Sequence, residues 1–289
     1  MPSLLSRRAF LGAATAAGIL ASRASAKSLA PKRLGAELYT VRSLMPAKDD
    51  DVLHTLASTG YREVEGDYPT LMRIHGAAQA LGLNPVACHI PTASVLGGEK
   101  APELEKVLTD LKGIGTEYAV VPYIAPDQRT VEILSGFGEK MTRAGEMAKR
   151  IGLQLAYHNH AFEWKEVEGK MTFHRMFEHT DPKLVQLEID VFWLSVAGVD
   201  PVHFLKDHAG RIPLVHLKDK AAAQKVQYNE MVPKDTFREV GNGSIDFKAV
   251  LETCEKIGVK HYFVEQDWTS GDPLVSLKQS FHYISGLKS

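Results

Sequence analysis

The stretch "LAYHNHAFEW", residues 155–164, sets His158, Asn159, His160 and Glu163 close together, directly after an apolar run. Imidazoles and carboxylates bind metals and move protons, and amides hold ligands and hydroxyls in place. The same kinds of group recur where other apolar runs end. "LVQLEID" closes on Glu188 and Asp190, "PLVHLKD" on His216, Lys218 and Asp219, and "YFVEQD" on Glu265, Gln266 and Asp267. Earlier runs end near Glu37 and Tyr39, Glu63 and Glu65, His89, and Tyr123. Each has a plainer reading alone. Asp190 could cap a helix, His216 could be a satisfied core histidine, Glu265 could pair with a lysine, and Glu163 could sit exposed in a loop. Convergence is what favours chemistry: carboxylates and imidazoles gathered at one place suit a divalent metal with mixed oxygen and nitrogen ligands.

The elements that must bring them together can be read from a recurring pattern. An amphipathic helix, a glycine and a short β-rich run repeat along the chain, with the glycines at Gly60, Gly82, Gly115, Gly152, Gly210 and Gly258. Glycine after a helix suits the left-handed residue that ends it. The runs that follow are rich in Val, Ile, Leu, Tyr and Phe, as buried parallel strands are. Eight strands are expected, near 34–40, 62–66, 85–90, 118–123, 153–158, 184–190, 212–217 and 261–265, with a clear helix over 129–150. Eight β/α units predict an α/β fold of the (β/α)8 TIM-barrel type, whose active site lies where the strands end. A doubly wound nucleotide fold would need a glycine-rich turn after the first strand, and "VRSLMPAKDD" has no glycine. The long irregular stretch after strand seven, from Lys218 to Phe247, would lie at the catalytic face.

The chain has 289 residues, 44% hydrophobic and 24% charged, with a formal net charge of -1. That composition supports a real core and lacks the basic excess of a nucleic-acid binder. Residues 1–26 carry Arg7 and Arg8, an apolar run from Phe10 to Ala21, and Ala24-Ser25-Ala26. This is the layout of a cleavable export signal, and "SRRAFL" resembles the twin-arginine motif. The expectation is a leader over 1–26, a barrel over 27–289, export to the periplasm, and no stable membrane insertion once the leader is removed. Cys88 and Cys254 are expected as two buried free thiols.

"LAYHNHAFEW", "LEIDVFW", "VHLKDK", "GNGSIDF" and "FVEQDW" resemble the xylose isomerase-like TIM-barrel superfamily, in its exported sugar phosphate isomerase/epimerase branch. The resemblance implies one divalent ion, Mn2+ first, with Mg2+, Co2+ or Zn2+ as alternatives. It implies a ligand set of Glu163, Asp190, His216 and Glu265. Many relatives place the first glutamate at the end of strand five, where this chain has His158. Glu163 is therefore the expected ligand, with His158 or His160 as substitutes. Glu163 and Glu265 would be the acid/base pair of a sugar isomerase or epimerase working through an enediolate. His89, Lys218, Tyr39, His158, His160 and Trp193 would meet a small carbohydrate. Export disfavours a phosphorylated metabolite, so cleavage of 3-keto-glycosides at the same site is one alternative, and a non-catalytic sugar-binding protein is another. A repair nuclease of this superfamily would want a basic groove, which the sequence lacks. Assembly into identical copies is left open.

Overall fold

The computed structural model describes residues 27–98 and 100–289. The expected leader, 1–26, lies outside them. Eight parallel strands close into a barrel: β1 Gly35–Glu37, β2 Glu63–Asp67, β3 Asn84–His89, β4 Tyr118–Val121, β5 Gln154–His158, β6 Val185–Asp190, β7 Leu214–Leu217 and β8 His261–Val264. β1 pairs with both β2 and β8, which leaves the barrel sheet without an edge. The strands lie within a few residues of their expected positions, and the TIM-barrel expectation holds.

Around the strands pack the helices α1 Asp49–Thr59, α2 Tyr68–Ala80, α3 Thr92–Leu96, α4 Leu104–Gly113, α5 Val131–Ile151, α6 Thr172–Phe177, α7 Val191–Val196, α8 Pro201–Asp207, α9 Phe247–Ile257 and α10 Pro273–Gly286. α5 occupies nearly the span read from its periodicity. Its Thr130 side chain accepts from the amide of Ile133, and Gly152 ends it in the left-handed region. All six glycines singled out above have positive φ. No described helix is long and apolar enough to cross a membrane. Cys88 and Cys254 are buried and free.

Side chains alternate in direction along each strand. Outward ones form the large apolar core against the helices. Inward ones build the barrel's interior in layers. Val86, Ala87, Tyr118, Val120, Ala156, Leu214 and Phe263 form a separate apolar plug. Two residues beyond Ala87, Ala156, Leu214 and Phe263 the interior turns polar, at His89, His158, His216 and Glu265, and Glu37, Glu65 and Glu188 join them from β1, β2 and β6. The plug is thus the floor on which the polar groups stand.

After β7 the chain runs irregularly to α9. Asp219–Lys220 pairs antiparallel with Phe237–Arg238. The buried Asp219 carboxylate accepts backbone N–H bonds from Gly241 (3.0 Å), Gly243 (2.8 Å), Ser244 (3.1 Å), Ile245 (3.2 Å) and Lys220 (2.8 Å). Its two oxygens therefore tie "GNGSI" to the end of β7.

Candidate active site

The mouth of the barrel is a cavity of about 800 Å³ at the C-terminal ends of the strands. Tyr39, His89, His158, His160, Trp193, Lys218 and Glu265 line it, and the long segment after β7 adds Glu230, Lys234 and Phe237 to its wall. At the base, His158, Asp190, His216 and Glu265 each offer one ligand atom, and these atoms lie within 4.8 Å of one another. They come from β5, β6 and β7 and the residue after β8. Asp190 satisfies both readings of it. One oxygen accepts from the amides of Phe192 and Trp193 and caps α7. The other faces Lys218 Nζ at 2.9 Å and His158 Nε2 at 3.7 Å. Asn159 fixes that arrangement by accepting from the Asp190 amide at 2.9 Å.

Glu163 is not among the residues whose ligand atoms gather in this cluster. Its Oε1 accepts from Tyr157 Oη at 2.7 Å and from the His160 amide at 2.9 Å. Tyr157 points outward from β5 and packs edge-on against Phe137 and Phe177 of the helix layer. Alternation along β5 explains this: His158 faces in, so Tyr157 faces out, and the turn at 162–164 carries Glu163 to the Tyr157 side. The strand-five position is filled by His158. Glu163 is fully buried, and burial pushes its carboxyl up to about 7 against the pull of its two hydrogen bonds.

The site holds more carboxylates than the sequence reading assigned. His216 Nδ1 lies 2.8 Å from Glu265 Oε2, while its Nε2 lies 2.6 Å from Glu65 Oε2. Glu188 Oε2 lies 3.0 Å from His158 Nδ1 and 3.1 Å from His89 Nε2. Burial raises the Glu188 carboxyl, but His216 and His158 outweigh it and hold it well below the usual carboxylate range. Lys218 Nζ sits 2.9 Å from Asp190, 2.8 Å from Glu265 and 2.6 Å from Asp267. Burial opposes its charge, yet these carboxylates raise it well above an ordinary lysine, so it stays an ammonium. Glu65, Glu188 and Asp267 were on view in the sequence: each lies two residues from another acid on the same strand or its extension, and therefore on the same face.

His160 packs its ring against Trp193 (centroids 5.3 Å apart, planes inclined by 30°) and edge-on to Tyr123 and His158. Burial, with His158 nearby, holds it well below an ordinary histidine, so it is a neutral imidazole. Tyr39 lies half exposed at the rim with Arg42 over its ring.

Fold and site together define a barrel enzyme class in which carboxylates and imidazoles converge at the strand ends. The profile of the xylose isomerase-like TIM barrel matches residues 53–285, and the chain belongs to that family. An inosose dehydratase of Geobacillus thermodenitrificans is 32% identical over 154 residues, which cover 50% of this chain and 51% of that one. The chain thus spans about half the length of this relative. A sugar phosphate isomerase/epimerase from Parabacteroides distasonis superposes with a TM-score of 0.71 at 21% identity, covering 92% of this chain and 96% of the other. An IOLI protein with a bound zinc atom superposes at 0.67 with 18% identity, covering 88% and 98%.

Proposed function

We propose that this protein is a divalent-metal-dependent enzyme that removes the proton next to the carbonyl of a keto sugar or keto cyclitol, with loss of a neighbouring hydroxyl as water. One observation carries the reading: His158, Asp190, His216 and Glu265, one from each of four adjacent strand ends, converge under the cavity. Two imidazoles with two carboxylates suit a first-row divalent ion. The donor set also fits one electrostatically, since the buried carboxylates around it far outnumber the lysines that reach them. An ion bound there supplies Lewis acidity, stabilising negative charge on a carbonyl oxygen.

The chain's own residues supply the rest. Lys218, held charged by three carboxylates, donates a hydrogen bond to substrate oxygen and a proton to the departing hydroxyl. His160, neutral and packed on the same Trp193 ring that Lys218 approaches, takes the carbon-bound proton. That is the role expected of Glu163, which lies behind the strand. Trp193 and Tyr123 hold His160 in place. The inosose dehydratase relatives support the elimination outcome. The isomerase/epimerase outcome shares the first step and differs in returning the proton to carbon.

The test is incubation of purified protein and Mn2+ with inosose and with 3-keto sugars in deuterated water. Elimination gives a product that has lost the elements of water, with a deuteron gained at carbon where the enol first formed ketonises. Epimerisation gives a product of unchanged formula carrying one deuteron. Neither change on any keto sugar would sink the reading. Export through the 1–26 leader remains part of the proposal, tested by fractionating cells that express the full chain.

A further inference from the structure

Beneath the ligand set just described lies a second one that the proposed reaction does not use. Two overlapping groups, Glu37, Glu65, His89 and His216, and His89, His158, Glu188 and His216, each bring one ligand atom per residue within 4.8 Å of one another in the barrel interior. Two of the four separations of His89 and His216 from Glu65 and Glu188, 3.1 and 3.4 Å, are those of ligands around one ion, and the 2.6 Å contact of His216 with Glu65 is a hydrogen bond that would open when an ion enters. His216 Nε2 is 2.6 Å from Glu65 Oε2 and 3.4 Å from Glu188 Oε2. His89 Nε2 is 3.1 Å from Glu188 Oε2 and 3.5 Å from Glu65 Oε1. Donor atoms sharing a first-row ion at about 2.1 Å lie roughly 3.0–3.4 Å apart.

Two further observations point to a cation. Glu65, Glu188 and Glu37 are fully buried or nearly so, and each has one carboxylate oxygen with no hydrogen-bond partner. Among the described residues no lysine or arginine pairs with any of the three, because Lys218 is taken up by Asp190, Glu265 and Asp267. Their cationic partners here are histidines alone, His89, His158 and His216, and an ion bound among these groups would supply the compensation that buried carboxylates need. His216 and His158 also each present one nitrogen to the upper set and one to the lower. His216 turns Nδ1 to Glu265 and Nε2 to Glu65, and His158 turns Nε2 to Asp190 and Nδ1 to Glu188.

We propose that the barrel holds a second divalent cation below the first, between Glu65, His89, Glu188 and Nε2 of His216, with His216 bridging the two ions as an imidazolate whose last ring proton passes to solvent on binding. Its nitrogen and oxygen donors select Zn2+, Mn2+ or Co2+ over Mg2+ or Ca2+. The alternative is that Glu65 and Glu188 only orient the histidines of a single ion, as carboxylates behind metal-bound imidazoles do.

Counting separates the two. The full chain, stripped with chelator and dialysed against Co2+ or Mn2+, is read by elemental analysis without any substrate. Two ions per chain are expected, falling to one in Glu65→Gln and in His89→Asn. Asp190→Asn should also fall to one, by loss of the upper ion. Circular dichroism shows which variants fold, and an anomalous-difference map of the wild-type crystal gives the count without any variant. A wild type that saturates at one ion, retained in Glu65→Gln and lost in Asp190→Asn, overturns the second site and leaves the sugar chemistry standing. A wild type that binds none overturns both.

Discussion

At the scale of single residues, Glu163 is the most informative. It is buried, its free oxygen has no partner, and its carboxyl titrates near 7 instead of 4.5. A carboxyl raised on folding binds its proton more tightly in the native state, so stability is full below pH 4.5 and declines as pH climbs through 7. Glu163→Gln mimics the protonated form, since Oε1 keeps both of its donors. The variant should match wild type at about pH 4 and exceed it by about 3 kcal/mol at pH 8. Thermal melts across that range check this, and parallel melting curves at both pH values would refute it. Lys218→Met is expected to keep the fold and metal content while kcat drops about 10²- to 10⁴-fold. Elemental analysis beside steady-state rates tests that pair of outcomes. Asp190, His216 and Glu265 were legible because a polar residue ending an apolar strand has few other uses. The place of Glu163 was not, because a residue just past a strand end can turn to either side, and only Tyr157 and the 162–164 turn decide which.

At the scale of elements, the barrel was legible in its repeating helix–glycine–strand pattern, and the helix at 131–151 in its periodicity. The segment between β7 and α9 was not, because its order comes from one carboxylate and not from any hydrophobic period. Asp219 gathers five backbone amides, and a Cβ at Gly243 would collide with the Asp219 carboxylate and the Lys220 carbonyl. Asp219→Ala should therefore cost about 3 kcal/mol and lower Tm by roughly 6–12 °C. Gly243→Ala should act in the same direction. Both should also raise KM, because Glu230, Lys234 and Phe237 belong to the same segment and line the cavity. Hydrogen exchange should report the change within residues 219–245. Loss of protection spread evenly over the barrel would contradict a local anchor.

At the scale of the whole molecule, the interior is divided along the barrel axis. The apolar plug of seven side chains supports a polar layer rich in carboxylates, and binding a cation there should stabilise the entire fold. Free Mn2+ at one hundred times its Kd adds about 2.7 kcal/mol, or roughly 5–10 °C in Tm. Chelator should reverse the shift, as differential scanning calorimetry would show. A melting point indifferent to Mn2+, Co2+, Zn2+ and chelator alike would argue against a resident ion.

The two described ends of the chain meet. Ser28 bridges to Lys288, and the amides of Leu29 and Ser289 donate to the carbonyls of Leu287 and Lys27. Residues 27–29 feed into β1 and residues 287–289 follow α10, so both lie at the N-terminal ends of the strands, opposite the mouth. A purification tag, a surface linker or a fused partner attached at residue 289 would therefore hold the protein by its foot and leave the opening facing bulk solution. The same proximity makes a circular permutant feasible, with 27 and 289 joined by a short glycine–serine bridge and new ends cut in an exposed loop.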